Sequence, residues 1–233
     1  MPALVAARFV ARPNRFIVMA RLSDGRVVRC HMADPGRLRE LLLPDVPLRL
    51  RPATVGAVRR TAFSVVLVRA PMAPRPWVSL DTTLPNRLAA DLLRRGAIRG
   101  LGGCAALRSE VTHGRSRFDF LLSPRRAKNT FVEVKSVTLV VNSVGRFPDA
   151  PTTRGCRHLR ELTHLVREGG RAAVLFVVQR PDAGSVRAHG ETDPEFARAL
   201  ATARQAGVML RAVRYRLTAA GRALYLGPVP VRV

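Results

Sequence analysis

Asp119, Glu133 and Lys135 have the types and the spacing of a divalent-metal site. They lie in the stretch 114–137, GRSRFDFLLSPRRAKNTFVEVKSV, where two runs of β-forming residues flank a polar turn and predict a hairpin. Because side chains alternate across a strand, Glu133 and Lys135 share one face, and the fold-back of the hairpin brings Asp119 towards them. Two carboxylates beside an ammonium group predict a site for Mg²⁺ (or Mn²⁺) and metal-assisted attack of water on a phosphodiester. The alternative is a surface pair of carboxylates bonded to nearby arginines.

Lysine is rare in this chain, which makes Lys135 informative. Of the 40 basic residues, only Lys128 and Lys135 are lysine, and the other 38 are arginine. Arginine is planar and always charged, whereas lysine is a compact point charge whose pKa shifts readily. A lysine that follows a glutamate by two positions on a strand therefore indicates a chemical requirement. The alternative is a stray lysine on a solvated face.

The residues before the hairpin, 1–80, are predicted to form a small β-barrel. The segment 34–43 begins with Asp34-Pro35 and predicts a short helix with Asp34 as its N-cap. Strands with one helix after the third match the outline of an OB-type barrel, a fold that often binds single strands or oligosaccharides. A small SH3-like barrel leaves a similar signature. The predicted strands are 4–11, 16–22, 27–31, 48–50 and 63–68.

The hairpin itself belongs to a second predicted domain, 81–233, of α/β type. The nearly continuous apolar run RAAVLFVVQ, 171–179, predicts a strand buried on both faces of a parallel sheet. A strand–helix–strand crossover after a hairpin gives a mixed sheet with flanking helices, so the chain as a whole is α+β. Helices are predicted over 81–98, from Thr152-Thr153 to Gly169-Gly170, and over 193–206, and closing strands over 208–217 and 223–233.

The charge balance points to a polyanionic partner. The chain has 40 basic and 16 acidic residues, a net charge of +24 at pH 7. A biased genomic base composition can replace lysine by arginine, but this exchange leaves the net charge unchanged. It therefore does not explain the excess of basic over acidic residues, which indicates a polyanionic partner. Nucleic acid is the first choice of partner. An anionic membrane surface and RNA-rich surroundings such as the ribosome are the alternatives.

The cysteines and the N-terminal residues predict a cytoplasmic protein. Cys30, Cys104 and Cys156 are odd in number and form no CxxC pair, which is typical of free thiols in a reducing compartment. Arginine repeatedly interrupts the apolar residues of 1–16, which argues against a signal peptide or a membrane helix.

These motifs resemble known proteins. The order Glu110, Asp119, then Glu133-Val134-Lys135 is similar to the PD-(D/E)xK nuclease superfamily, and the chain more narrowly resembles the sugar fermentation stimulation protein family. The resemblance implies an OB-like domain at 1–80, a restriction-endonuclease-like domain at 81–233, non-specific DNA binding and a link to regulation of sugar (maltose) utilisation genes. The matching segments are NRF (14–16), HMADPGRLRELLLP (31–44), PN (85–86), SRFDFLL (116–122), FVEVKSVTL (131–139) and FPDAPTTRGCRHLREL (147–162).

The resemblance also implies roles for individual residues. Asp119 and Glu133 are expected to hold the metal, and Lys135 is expected to orient the attacking water or stabilise charge on the phosphate. Glu110 is expected to enter from a helix or its end as an outer ligand, with an ion pair to arginine as the alternative. Apart from the resemblance, alternation places Arg115 and Arg117 on the face of Asp119, and Arg154 and Arg157 lie at the start of a predicted helix, where main-chain N–H groups favour phosphate. These four, together with Arg15 and Arg37, are the expected nucleic-acid contacts.

A supporting cluster is expected behind the metal ligands. Its candidates are Asp149, Thr152, Thr153 and His158. For His158 the alternative is a hydrogen-bonded packing residue on a helix.

Two functions fit these residues. One is a Mg²⁺-dependent nuclease acting on DNA or RNA, in which the barrel grips a strand. The other is a nucleic-acid-binding protein, regulatory in role, that uses a nuclease-like fold for binding alone. The intact set of three carboxylates and Lys135 favours the nuclease, because binding alone would tolerate neutral or basic replacements.

Overall fold

The computed structural model describes residues 3–53, 61–102 and 104–233. The chain divides into two compact units, and the short segments 179–181 and 215–225 return it to the first unit late in the sequence. Among the described residues, no helix is long and apolar enough to cross a membrane. The first unit comprises Met1–Thr82, Gln179–Pro181 and Tyr215–Tyr225, and the second comprises Thr83–Val178, Asp182–Arg214 and Leu226–Val233.

Five strands of the first unit close into a barrel. In chain order the strands are β1 (Val5–Asn14), β2 (Ile17–Leu22), β3 (Val27–Met32), β4 (Pro47–Pro52) and β5 (Phe63–Arg69), followed by β6 (Trp77–Ser79). The antiparallel neighbours run β3-β2-β1-β4-β5, and β5 then pairs with β3 in parallel to close the ring. Because side chains alternate, every second residue points inward, and Val18 and Ala20 of β2 are fully buried beside Leu48 and Leu50 of β4. The OB-type prediction is confirmed.

The segment 34–43 between β3 and β4 is not helical, so that prediction was wrong. The Oδ1 of Asp34 accepts the N–H of Gly36 at 2.8 Å in a local turn, where a helix N-cap was expected. Leu38 has a φ of 49°, a left-handed conformation that interrupts a right-handed helix. Leu38 and Leu41 are buried in the barrel core. Tertiary packing of the leucines therefore outweighs their local preference for a helix.

The second unit is built on a mixed sheet with three helices among its described residues. The elements after β6 are α1 (Leu84–Arg94), β7 (Cys104–His113), β8 (Ser116–Pro124), β9 (Thr130–Val137), β10 (Leu139–Val141), β11 (Val144–Phe147), α2 (Thr153–Arg167), β12 (Arg171–Val178), β13 (Ser185–Ala188), α3 (Pro194–Gln205), β14 (Met209–Leu217), β15 (Ala223–Val229) and β16 (Val231–Arg232). The end of β14 and the start of β15 fall within Tyr215–Tyr225 and so belong to the first unit. Here β12 lies parallel to β9 and β14, and β8 and β7 continue the sheet in antiparallel pairing. A smaller sheet has the order β10-β11-β13-β16.

The ends of α2 and α3 and the burial of β12 follow the predicted pattern, whereas α1 covers only Leu84–Arg94 of the predicted 81–98. Residues 172–178 of β12 are all buried, as expected for a strand covered on both faces. The side chain of Thr152 caps α2 by accepting the N–H of Gly155, and Asp193 caps α3 by accepting the N–H of Phe196. Both helices pack on a core that contains Leu159, Leu162, Val174, Phe176 and Leu200. This packing places α2 against β12 and β8, next to the predicted hairpin.

Candidate metal and nucleic-acid site

The predicted hairpin is present as β8 and β9, and the carboxylate of Asp119 lies between its strands. The register pair nearest the site is Phe120↔Val132. One residue before Phe120, the Oδ2 of Asp119 accepts the main-chain N–H of Val134 at 2.7 Å. The carboxylate thus takes the place of a main-chain carbonyl as the acceptor for β9. The Oδ1 accepts from the amide nitrogen of Asn86 in α1, also at 2.7 Å. Asp119 is therefore held directly against the β9 segment that carries Glu133.

Glu133 is a buried carboxylate with one bonded and one open oxygen. Its Oε1 lies 2.6 Å from the Nζ of Lys135 and 2.6 Å from the Nδ1 of His158 in α2. Its Oε2 is buried, and no hydrogen-bond donor contacts it within the described parts of the chain. The lysine and the histidine thus fix the carboxylate and leave one oxygen free to accept.

His158 is the residue through which α2 reaches the site. It is fully buried, and its ring packs edge-on against Phe118 of β8 at a centroid distance of 5.5 Å. The Nε of Arg154 donates to its Nε2 at 3.4 Å. Because Nε2 accepts from Arg154, Nδ1 is the ring nitrogen that donates to Glu133.

Burial acts on both carboxylates, yet their pKa values move in opposite directions. Burial and the negative charge of Glu133 raise the pKa of Asp119, against the opposing effect of its bonds to Val134 and Asn86. Burial also tends to raise the pKa of Glu133, but the hydrogen bond from His158 and the charge of Lys135 outweigh it and lower that pKa. Glu133 is thus held as an anion, while ionised Asp119 is disfavoured beside it.

The two lysines of the chain have different surroundings. Lys135 is almost buried, and its Nζ lies 6.0 Å from the ring centroid of Phe147 as well as against Glu133. Lys128 donates to the main-chain oxygen of Gly169 just beyond α2 and is exposed. Only Lys135 belongs to the buried charged group.

Glu110 does not come from a helix, and that expectation was wrong. It lies in β7, at the edge of the sheet, with a φ of 56°, and its carboxylate forms an ion pair with Arg117 at 2.7 Å. Both side chains of the pair are more than half exposed. The role of Glu110 as an outer ligand stays a prediction.

The predicted nucleic-acid contacts lie on exposed positions. In the second unit, Arg115 lies in the turn before β8, Arg117 is in β8, and Arg154 and Arg157 are in the first turns of α2. Of these four, Arg154 contacts the buried group, through His158. In the first unit, Arg15 lies in the turn between β1 and β2, and Arg37 lies in the segment after β3. Both are exposed.

The expected supporting cluster is only partly gathered around the carboxylates. His158 contacts Glu133, whereas Thr153 and Asp149 are exposed, and Thr152 bonds to the start of α2 and to Asp193. Sequence reasoning missed Asn86, the donor to Asp119. It belongs to the PN pair at the start of α1, but nothing in one sequence shows that α1 packs on the sheet close to Asp119.

The donor set can be compared with the needs of a divalent cation. Within the described residues, no group of three His, Cys, Asp or Glu side chains is arranged to hold a metal. Asp119 and Glu133 supply two carboxylates, and Mg²⁺ commonly takes one or two carboxylates and completes its shell with water and substrate phosphates. The open, buried Oε2 of Glu133 suits such a cation.

Comparison with known proteins covers both units. Residues 10–80 match the model for the sugar fermentation stimulation protein N-terminal OB domain, and residues 83–221 match the model for its RE domain. Sugar fermentation stimulation protein homologs of Moorella thermoacetica and Symbiobacterium thermophilum are 44% and 42% identical over 99% and 97% of this chain, and over 97% and 94% of their own lengths. The solved structure of Pyrococcus furiosus SfsA in complex with Ca²⁺ is similar with a TM-score of 0.89 and 28% identity, over 100% of this chain and 97% of that one.

Proposed function

This chain belongs to the sugar fermentation stimulation protein family, and we propose that it binds DNA and cleaves phosphodiester bonds at a divalent-cation site held by Asp119 and Glu133. The observation that carries the proposal is the buried Oε2 of Glu133, which has no hydrogen-bond partner among the described residues and belongs to a carboxylate beside that of the half-buried Asp119. Buried polar atoms in proteins are nearly always paired, so an acceptor left open on a fixed carboxylate suits a cation.

A relative supports the choice of a divalent cation. The similar Pyrococcus furiosus protein was solved in complex with Ca²⁺, and Ca²⁺ and Mg²⁺ both take oxygen ligands. A bound Mg²⁺ supplies a Lewis acid that polarises the phosphate and activates water. The chain's own part is to hold the two carboxylates rigidly, through Val134 and Asn86 on one side and His158 on the other.

Lys135 has the position of a charge-stabilising group. Its ammonium is nearly buried and is fixed 2.6 Å from Glu133, next to where a phosphate would approach the carboxylates. A positive charge fixed in a poorly solvated site stabilises negative charge that develops on the phosphate oxygens. Its small size also leaves room for a water molecule that a guanidinium would occupy.

The net charge of the protein supports binding to DNA. A net charge of +24 favours any polyanion, and arginine contacts to phosphate do not depend on base sequence. The exposed Arg115, Arg117, Arg154 and Arg157 lie within four residues of Asp119 or His158 along the chain.

A cleavage assay tests this proposal. Purified protein is incubated with labelled single- and double-stranded DNA and RNA in Mg²⁺, Mn²⁺ or EDTA. Cleavage of DNA is expected with a divalent cation and not in EDTA, and Glu133→Gln should reduce it by ~10²-fold or more, a loss typical of removing one electrostatic contributor. Glu168→Gln, which changes an exposed carboxylate paired with His164 on α2, serves as the matched control. A protein that binds DNA but cleaves none of these substrates would refute the nuclease.

A second function is favoured by the ion pair of Lys135. Because this lysine and His158 already contact Oε1 of Glu133, and both oxygens of Asp119 accept hydrogen bonds, the group is largely satisfied without a cation. We propose as the alternative a non-catalytic, largely sequence-independent DNA-binding regulator of sugar (maltose) metabolism genes. The same substrates separate the two functions. The regulator leaves all of them intact in the cleavage assay, and in anisotropy measurements it binds DNA equally in Mg²⁺ and in EDTA.

A further inference from the structure

One arginine joins two loops of the barrel. The Nη1 of Arg12 donates to the main-chain oxygens of Gly36 at 2.7 Å and Arg37 at 3.0 Å, and its Nη2 donates to those of Arg15 at 2.9 Å and Asp34 at 3.3 Å. The guanidinium therefore ties the β1–β2 turn to the segment that follows β3. Partial burial lowers its pKa, opposed by the charge of Asp34, and it nevertheless stays charged because arginine does not deprotonate in proteins.

The β1–β2 turn presents an exposed aromatic ring on a fixed main chain. Phe16 is 49% exposed. Its N–H donates to the side chain of Asn14 at 2.9 Å, and its main-chain oxygen accepts the N–H of Met32 at 2.9 Å. The ring is thus not exposed because the turn is loose. An exposed phenylalanine lacks the stabilisation that burial of its large apolar ring normally provides.

Two exposed arginines lie close to Phe16 along the main chain. Arg15 precedes Phe16, and Arg37 is brought to the same place because its main-chain oxygen and that of Arg15 bind the one guanidinium of Arg12. Both flanking arginines are exposed. Residues 1–80 contain 14 arginines and four acidic residues, a net charge of +10. This charge selects a polyanion over an uncharged sugar as the partner of the ring.

We propose that Phe16 is a stacking platform for one base of a single-stranded nucleic acid, with Arg15 and Arg37 placed for the flanking phosphates and Arg12 holding the loops in position. In a duplex each base face is covered by its neighbours, so an exposed ring gains stacking only with an unpaired base. Stacking on an aromatic side chain accepts any base, because every base has a π-face. The inference rests on the proposed nucleic-acid binding and adds the strandedness and the place of contact.

Anisotropy measurements with three variants test this platform. The probes are a labelled oligothymidylate, its oligouridylate counterpart and a DNA duplex of the same length, all in Ca²⁺, which takes oxygen ligands as Mg²⁺ does but is expected to support little or no cleavage. Phe16→Ala should weaken single-strand binding about fivefold or more, the size of one lost base stack, and change duplex binding less than about twofold. Val27→Ala is the matched control, because Val27 lies in the same barrel and is 50% exposed. Phe16→Trp should retain the affinity and show quenched indole fluorescence on the single strand, over the background of Trp77.

The outcomes separate this inference from the function on which it rests. Unchanged single-strand affinity in Phe16→Ala, with wild type binding normally, overturns the platform and leaves nucleic-acid binding in place. Equal losses on single strand and duplex overturn the strandedness. A wild type that binds none of the probes removes the proposed function itself. Thermal melts of the variants show that any loss comes from a folded protein.

Discussion

The Nδ1 of His158 lies 2.6 Å from the Oε1 of Glu133, and both side chains are almost fully buried. The other ring nitrogen of His158 accepts from Arg154, which stands exposed at the start of α2. The histidine therefore connects a surface cation to the buried carboxylate and decides which oxygen of Glu133 stays open. It acts as a positioning residue and does not itself face the phosphate in the proposed reaction.

Replacing His158 should separate its positioning role from simple packing. His158→Ala removes one of the two donors to the buried carboxylate of Glu133 and opens a cavity, which together should cost about 2–5 kcal/mol of unfolding free energy. His158→Asn keeps a donor near the place of Nδ1 and should lose less stability and retain more metal-dependent cleavage. Chemical denaturation and the cleavage assay measure the two effects. His164→Ala on the same helix, where the ring is exposed, is the control and should change neither.

Lys135→Arg tests the requirement for a compact ammonium. The charge is retained, but the planar guanidinium is larger and disperses its charge over a fork. Cleavage should fall by at least ~10²-fold, as when one charge-stabilising group is lost, while DNA affinity changes little. Lys128→Arg, at the exposed lysine that bonds to Gly169, should cleave as wild type does. Wild-type cleavage by Lys135→Arg would show that the lysine only balances charge.

The affinity for DNA should depend steeply on salt. Arginine–phosphate contacts release counterions, so neutralising ~6 phosphates predicts a loss of affinity on the order of a thousandfold between ~50 and ~200 mM salt. Titrations of a labelled duplex at several salt concentrations give the slope. A flat response would contradict the electrostatic interpretation of the +24 charge.

The hairpin and its charged residues could be predicted because the signals are local. Strand alternation alone places Glu133 and Lys135 on one face, and the turn length brings Asp119 back to β9. The partners that complete the group could not be predicted in this way. Asn86 and His158 lie 33 and 25 residues from the carboxylates they contact, and only the packing of α1 and α2 on the sheet brings them there.

The wrong predictions also have physical causes. The edge strand β7 is largely exposed on both faces, so its sequence lacks the alternation that identifies a strand, and Glu110 was expected on a helix. The leucines of 34–43 have helical spacing, but the barrel core buries Leu38 and Leu41 through a turn. In both segments the tertiary environment overrides the local pattern.

The thiol of Cys30 should be silent in the folded protein. Cys30 is fully buried in the barrel, and burial raises its pKa to about 11. An unfolded cysteine has a pKa of about 8.5, so unfolding favours the thiolate and the unfolding free energy falls as the pH rises from about 9 to 11. At pH 8 a disulfide reagent should modify the half-buried Cys104 first and Cys30 only after denaturant is added. Peptide mapping identifies the modified thiol, and early labelling of Cys30 would contradict its burial.

Asp119→Asn tests whether the two carboxylates form a metal site. Like charges ~4 Å apart near a protein surface repel by about 4 kcal/mol at an effective dielectric constant of ~20. The pKa of Asp119 is raised first by burial and then by the negative charge of Glu133. Wild type in EDTA should therefore bind DNA poorly, and Ca²⁺ should strengthen binding and raise Tm by binding the folded state. The variant loses a charge and a ligand with little change in volume, and Asn86 can turn its amide to keep their hydrogen bond.

Asp119→Asn should accordingly bind DNA in EDTA at least as well as wild type, lose most of the Ca²⁺ effect on affinity and on Tm, and lose cleavage. Anisotropy and thermal melts, each in Ca²⁺ and in EDTA, measure these differences. Asp91→Asn is the control, because Asp91 is an exposed residue of α1 paired with Arg95 and carries the same charge change. A wild type that is indifferent to Ca²⁺ and an Asp119→Asn protein that behaves identically would remove the metal site and leave the DNA-binding regulator as the function of this chain.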